Sequence, residues 1–352
     1  MQLNSNTADM DFGLVDPRRL HEVDHTLPKD GDQTSTALSG FVRSKHLDIR
    51  AGMAKWGMKD WIGTLYNRKV KKAEFLGEYS KHFEFIELNA VFYSIPNAEL
   101  ILKWKRMVDN NAIGDFLFMP KFSRAISHIK RLANAEVGTE MYLSSIKEFG
   151  PYLGPCFLQM GDNFSHSNFA ILKAYLEKLP NDMKFFLELR HESWFGNESN
   201  RKEILTLLTR LGIGLVICDT SGRRDLVHME LTIPEVFIRF NGNNTLDRKV
   251  DKARIDDWVE RLKIWIDRGL EKVYFSVQQH DDKDSPALAK YVIEQFNLKL
   301  GASIPEIVWK DDEPTVTYQY IEDDEGTTEI TTYKMRIKRD EDDTTSPPSD
   351  PT

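Results

Sequence analysis

The sequence predicts a (β/α)8 barrel of the TIM type, in one domain, and three observations carry that prediction. Eight short apolar runs follow one another at 47–52, 83–89, 115–121, 156–160, 184–190, 214–219, 236–241 and 271–278. Most are separated by a stretch of helical spacing and length, as repeated strand–helix units require. Nearly every run ends in polar or charged residues at alternate positions, which points those groups toward the end where such barrels carry their sites.

Residues 1–46 are polar and keep neither period 2 nor period 3.6, so they are expected as a flexible or loosely docked extension. The barrel is expected over 47–298, close to the roughly 250 residues typical of one. Strand 47–52 offers Arg50, and a helix is expected at 69–82. Strand 83–89 offers Glu87 with Asn89, and Asn97 is placed to cap a helix at 97–109. Lys121 ends the third strand and Gln159 lies in the fourth, with helices at 139–149 and 167–179 around the latter.

The fifth strand is the clearest, because side chains two apart share a face. Phe185, Leu187 and Leu189 should pack on the helix ring, while Phe186, Glu188 and Arg190 look into the barrel. A helix at 200–211 should stop at Gly212, and the sixth strand should end on an inward Asp219. Between 221 and 234 no sixth helix is evident. The seventh strand offers Arg239 and Asn241, the eighth Ser276 and Gln278, and helices are expected at 254–268 and 286–296, the first stopped by Gly269 and the second opened by Ser285-Pro286. Residues 299–352 read as an acidic tail, with a hairpin at 315–337 around Asp323-Asp324-Glu325-Gly326 and a disordered end.

The charge is unevenly placed. Of a net charge of -8, the stretch 303–352 holds 14 acids against 5 bases, which leaves residues 1–302 near neutral at +1. Such a core lacks the broad basic surface that grips duplex backbone by charge alone. Cys156 and Cys218 lie inside predicted strands without metal-type spacing and are expected as buried apolar fillers. No apolar stretch approaches the roughly 18–20 residues of a membrane span and the first 30 residues lack a secretory apolar run, so a cytoplasmic protein is expected.

Convergence of charge at one barrel end carries the functional expectation. Arg50, Lys121, Arg190 and Arg239 face Glu87, Glu188 and Asp219 there. An arginine fork meets carboxylate or phosphate in two parallel hydrogen bonds, so Arg190 beside Glu188 reads either as an anion clamp with a carboxylate base or as an internal ion pair filling the barrel. Burying so many charges as filler is costly, which favours the clamp. His128 and His191 fall in rim loops, as proton carriers or as structural hydrogen bonders. Trp56, Trp61, Phe92, Tyr93 and Trp194 fall near the same loops, either lining a pocket or packing loops down.

The expected function is therefore an enzyme that binds a small anionic, phosphorylated or carboxylated, sugar-like molecule and works by general acid/base chemistry. Glu87, Glu188, His191 and Asp219 are its candidate catalytic groups. Arg50, Asn89, Lys121, His128, Gln159, Arg190, Trp194, Arg239, Asn241 and Gln278 are its candidate binding groups. The sequence requires no cofactor. A metal-dependent phosphodiesterase on nucleic acid is the sharpest alternative, since Glu87, Glu188, Asp219 and a rim histidine suit a divalent cation, although four cations on the rim would repel one. A non-catalytic ligand-binding barrel is the other. No Gly-rich phosphate loop or Ser/Cys nucleophile motif occurs, and Gln159 and Arg239 stand where one common glycosidase type carries its carboxylates.

The run Ile86-Glu87-Leu88-Asn89-Ala90-Val91-Phe92-Tyr93-Ser94-Ile95-Pro96 resembles the YecE-like family, a domain of unknown function with a TIM-type barrel. Glu188-Leu189-Arg190-His191-Glu192-Ser193-Trp194, Lys121 through Arg124 to Ser127-His128, Leu153-Gly154-Pro155 with Gln159, and Arg239-Phe240 match in order. The chain departs from the pattern at Gly161-Asp162, where the family tends to have prolines, at Asn241-Gly242 for His-Gly, and at Gln278-Gln279 for paired asparagines. The resemblance implies the fold and the barrel end that carries the site. It supplies no reaction.

Overall fold

The computed structural model describes residues 12–39, 43–44, 47–112, 114–244 and 249–309, and the backbone of 315–323 and 326–334. Eight parallel strands are β1 (Asp48–Met53), β2 (Phe85–Leu88), β3 (Leu117–Pro120), β4 (Cys156–Gln159), β5 (Phe185–Glu188), β6 (Gly214–Asp219), β7 (Glu235–Gly242) and β8 (Lys272–Gln279). Their order in the sheet is β3-β2-β1-β8-β7-β6-β5-β4. The end strands β3 and β4 meet through isolated bridges, Phe118 with Leu153 and Lys121 with Phe157, which turns the sheet into a nearly closed barrel.

Helices alternate with the strands. They are α1 (Asp32–Ala37), α2 (Phe75–Ser80), α3 (Ala90–Tyr93), α4 (Ala98–Asp109), α5 (Glu136–Lys147), α6 (Phe169–Leu176), α7 (Glu198–Leu211), α8 (Lys249–Asp267) and α9 (Ser285–Leu300). Local sequence accounts for the ends. Asn97 accepts a hydrogen bond from Leu100 N and Asn197 one from Asn200 N, each satisfying an orphan amide, and α7 stops at Gly212. The 69–82 segment is shorter as a helix than its pattern suggested, being a 3-10 turn at Lys72–Glu74 followed by α2. Between β6 and β7 the described chain forms only the 3-10 turn Arg224–Leu226.

Strand parity sorts the core into two parts. Phe185, Leu187 and Leu189 pack outward among the helices. Phe85, Met119, Phe157, Phe186, Val216, Phe237 and Tyr274 form an aromatic-rich plug inside the barrel. Gly214 leaves room for that plug, since a Cβ there would lie 2.3 Å from the Phe186 ring. One step further along six of these seven strands, all but β6, the interior turns polar toward the carboxyl end.

Residues 12–39 run from that end, where Gly222 N donates to Gly13 O, down the outside of the barrel to the segment before β7 and the end of α8. Leu20 and Leu38 are buried, Thr34 Oγ1 donates to Met229 O at 2.7 Å, and Asp30 pairs with Arg261 and Arg268. After α9, β9 (Thr315–Asp323) and β10 (Gly326–Lys334) pair antiparallel. Residues 335–337, the end beyond them and the first eleven residues lie outside the described residues. No helix among the described residues is long and apolar enough to cross a membrane.

Candidate functional site

The polar interior is built in two tiers above the aromatic plug. Glu87, Lys121, Gln159, Glu188, Arg239 and Ser276 come first, each two residues past a plug position or one strand step equivalent to it. Asn89, Arg190, Asn241 and Gln278 follow, two residues further on. A cavity of about 490 Å³ opens over them, lined also by Phe12, Lys55, Phe92, Tyr93, Gln279, His280 and Asp282.

Arg239 is the centre of the lower tier. Its Nε and Nη2 donate to the two oxygens of Glu87 at 3.0 and 2.6 Å, and its Nη1 donates to Glu188 Oε2 at 2.7 Å. Glu188 Oε1 accepts from Arg190 Nε at 2.6 Å. Asn89 Nδ2 and Ser276 Oγ complete the shell of Glu87 at 3.0 and 2.9 Å. Both carboxylates are 1 % exposed. Burial opposes their charge, but the Arg239 guanidinium, followed by Arg190 and the Lys121 ammonium, holds Glu188 down to about 2. Glu87 is lowered for the same reason, again against burial, by Arg239, Asn89 and Lys121.

Three cations, Arg190, Arg239 and Lys121, and two carboxylates, Glu87 and Glu188, are buried beneath the cavity, and Arg190 Nη1 lies 4.0 Å from Asp162 Oδ1. Lys121 Nζ lies 4.2 Å from the centre of the Phe92 ring. Gln159 is 2 % exposed, and its Oε1 has no hydrogen-bond partner among the described residues. A buried acceptor left without a donor is costly, so this oxygen calls for one from the cavity side.

Several expected site residues fall elsewhere. Arg50 sits at the amino end of β1, paired with Asp48 at 3.0 Å and donating to Asp115 O at 2.5 Å. The strand continues three residues beyond Arg50, to Met53, so Ala54 and Lys55 reach the rim instead. Asp219 has the outward parity of Leu215 and Ile217, and Cys218 takes the inward position. Asp219 is wholly buried against α8, bonded to Arg224, Arg254 at 2.7 Å and Trp258 Nε1 at 2.6 Å, with its carboxyl lowered, against burial, by Arg254 and Arg224.

His191 caps the 3-10 turn Glu192–Trp194 through Nδ1, 3.1 Å from Ser193 N, and opens onto a different groove. Trp194 is fully buried and donates to Phe164 O at 2.6 Å. His128 stands behind the cavity wall, its ring edge-on to Phe92 at 5.1 Å. Of the loop aromatics, Phe92 and Tyr93 line the cavity, whereas Trp56 packs on Trp104 and Trp61 donates to Asp282 O at 3.0 Å. The two cysteines are buried thiols, and burial pushes Cys218 up to about 12.

Six lining residues escaped the sequence reading, Phe12, Ala54, Lys55, Gln279, His280 and Asp282. Ala54 and Lys55 follow β1, and Gln279, His280 and Asp282 continue from Gln278, with the even spacing of His280 and Asp282 from Gln278 as the available signal. Phe12 had none, because its position depends on docking of the amino-terminal segment. Among the described residues no group of three or more His, Cys, Asp or Glu could hold a metal ion.

The family model described as "Protein of unknown function DUF72" matches residues 50–310. The UPF0759 protein YecE of Escherichia coli K12 is 24% identical over 277 residues, covering 74% of this chain and 95% of that protein. Crystal structures of DUF72 family proteins share the fold. One from Enterococcus faecalis V583 superposes with a TM-score of 0.55 at 21% identity, covering 74% of this chain and 100% of the other. One from Thermotoga maritima MSB8 does so at 0.52 and 22%, covering 72% and 100%.

Proposed function

Because the chain belongs to the DUF72 family, whose description carries no activity, we propose a function from the cavity's own chemistry: it binds a small anionic, hydroxyl-rich molecule at the carboxyl end of the barrel and moves a proton on it. Gln159 Oε1 carries the reading, as a buried acceptor without a donor among the described residues, beside a cavity floored by Arg190, Arg239 and Lys121. A ligand hydroxyl would satisfy it, while Arg190 and Lys121 would attract the anionic group. Asn89, Asn241 and Gln278 add amides suited to further hydroxyls.

The proton carrier differs from the sequence expectation. Asp219 and His191 lie outside the cavity, and Glu188 at about 2 holds no proton to donate near neutrality. Glu188 is left as a charge stabiliser, and His280, which lines the cavity, is the residue type suited to exchange a proton with substrate. Arg239 has its fork engaged by carboxylates, so its part is to set the floor rather than to grip the ligand.

The test is a thermal-shift and calorimetric screen against sugar acids, sugar phosphates and inorganic phosphate, with Gln159→Leu and His280→Ala in parallel. A hit should bind wild type, bind Gln159→Leu about ten-fold more weakly, and be turned over by wild type but not by His280→Ala. Binding without turnover would reassign the protein as a binding module, and no binding by any anion would sink the reading.

A further inference from the structure

We propose that Phe12, carried by an amino-terminal strap, is a wall of the anion site that orients Arg190 and limits ligand size; this rests on the anion-binding reading above. The strap lies outside residues 50–310, which the family model matches. Its docking is specific. Gly13 O accepts from Gly222 N at 2.8 Å and Thr220 Oγ1 at 3.0 Å. Val15 N donates to Asn243 Oδ1 at 3.1 Å, and Asn243 Nδ2 returns to Val15 O at 2.7 Å.

Asn243 is buried and its backbone N donates to Asp251 Oδ2 at 3.0 Å, which fixes the backbone that carries this two-way pairing. Gly13 has φ +73°, and a Cβ there would lie 2.3 Å from Thr220 Oγ1, so this close approach needs glycine. Further along, Arg224 Nη2 donates to His25 O at 3.0 Å and Arg261 Nη1 to Pro28 O at 2.9 Å.

These anchors deliver Phe12 to the barrel mouth. Its ring centre lies 3.8 Å from the guanidinium carbon of Arg190 and 5.7 Å from that of Arg223. An aromatic face stacked on a guanidinium fixes its plane, and Glu188 fixes the same group at Nε. Phe12 is a wall and not a plug, because the cavity of about 490 Å³ exists with the ring in place. That volume suits a monosaccharide-sized ligand and not a polymer.

Arg190 reactivity and phosphate affinity test this separately, in the full chain. Phenylglyoxal labelling of Arg190, located by peptide mass mapping, is compared between wild type, Phe12→Ala and Phe12→Tyr, with and without inorganic phosphate. Phe12→Ala should label Arg190 about five-fold faster and bind phosphate about five-fold more weakly, with an unchanged melting temperature, and Phe12→Tyr should restore both. Equal labelling and equal phosphate protection in all three would overturn the role of Phe12 while leaving the anion site standing. Protection of Arg190 in none of them would overturn the anion site and the proposal together.

Discussion

Arg239 holds two buried carboxylates with three nitrogens, so its removal would leave Glu87 without its paired guanidinium and Glu188 with Arg190 alone. Arg239→Met is expected to destabilise the protein by about 3–5 kcal/mol, the usual consequence of leaving a buried charge unpaired, and urea unfolding would measure it. A loss below about 1 kcal/mol would mean that water already shares the site. The same network sets an acid dependence. Glu188 titrates at about 2 when folded against an ordinary 4.5, so its proton binds more tightly to the unfolded chain. Its stabilisation, about 3 kcal/mol, is complete above pH 4.5 and is lost as pH falls through 4.5 toward 2. Melting temperatures should therefore fall more steeply below pH 4.5 in wild type than in a Glu188→Gln, Arg239→Met double variant.

At the scale of the strand, parity decides which polar residue reaches the site. Asp219 looks outward to Arg254 and Trp258, and Cys218 looks inward. Asp219→Ala is thus expected to lower stability by roughly 3–5 kcal/mol while leaving the affinity of the anion site within about two-fold, which a denaturant melt and a ligand titration together would show. A selective loss of affinity would return Asp219 to the site. The same parity explains how far the sequence could be read. Glu188 and Arg190 alternate with three apolar outward residues, so their direction was legible, and so was that of Glu87, Gln159 and Arg239. Asp219 was misread because β6 is apolar on both faces, and a terminal aspartate on such a strand gives no sign of its side. Arg50 was misread along the strand rather than across it, since only the register with β8 shows that β1 continues to Met53. Phe12 is set by hydrogen bonds to residues more than 200 positions away in the chain, which no local pattern encodes.

The whole barrel is not equally tied. β7 and β8 run in continuous register from Glu235–Lys272 to Gly242–Gln279, and β1 follows β8 from Asp48–Lys272 to Met53–Val277. The strap adds to the same side, binding Thr220, Gly222 and Asn243 after β6 and β7. Opposite them, β3 and β4 are joined by two isolated bridges, with Phe122 N donating to Phe157 O at 2.9 Å and Gly154 N to Phe118 O at 2.8 Å. Few ladder bonds must break for that seam to open, so it should part in sub-global fluctuations that leave β7 and β8 intact. Lys121 and Gln159 stand on either side of the seam, which places it at the cavity wall. Native-state hydrogen exchange should show the amides of β3 and β4 exchanging at least about ten-fold faster than those of β8, and a ligand that donates to Gln159 should slow them. Equal protection around the barrel would mean that side-chain packing at Phe118, Phe122 and Phe157 closes the seam as firmly as a ladder. Protection that rises on ligand binding at β3 and β4, but not in Gln159→Leu, would tie closure of the seam to occupancy of the site.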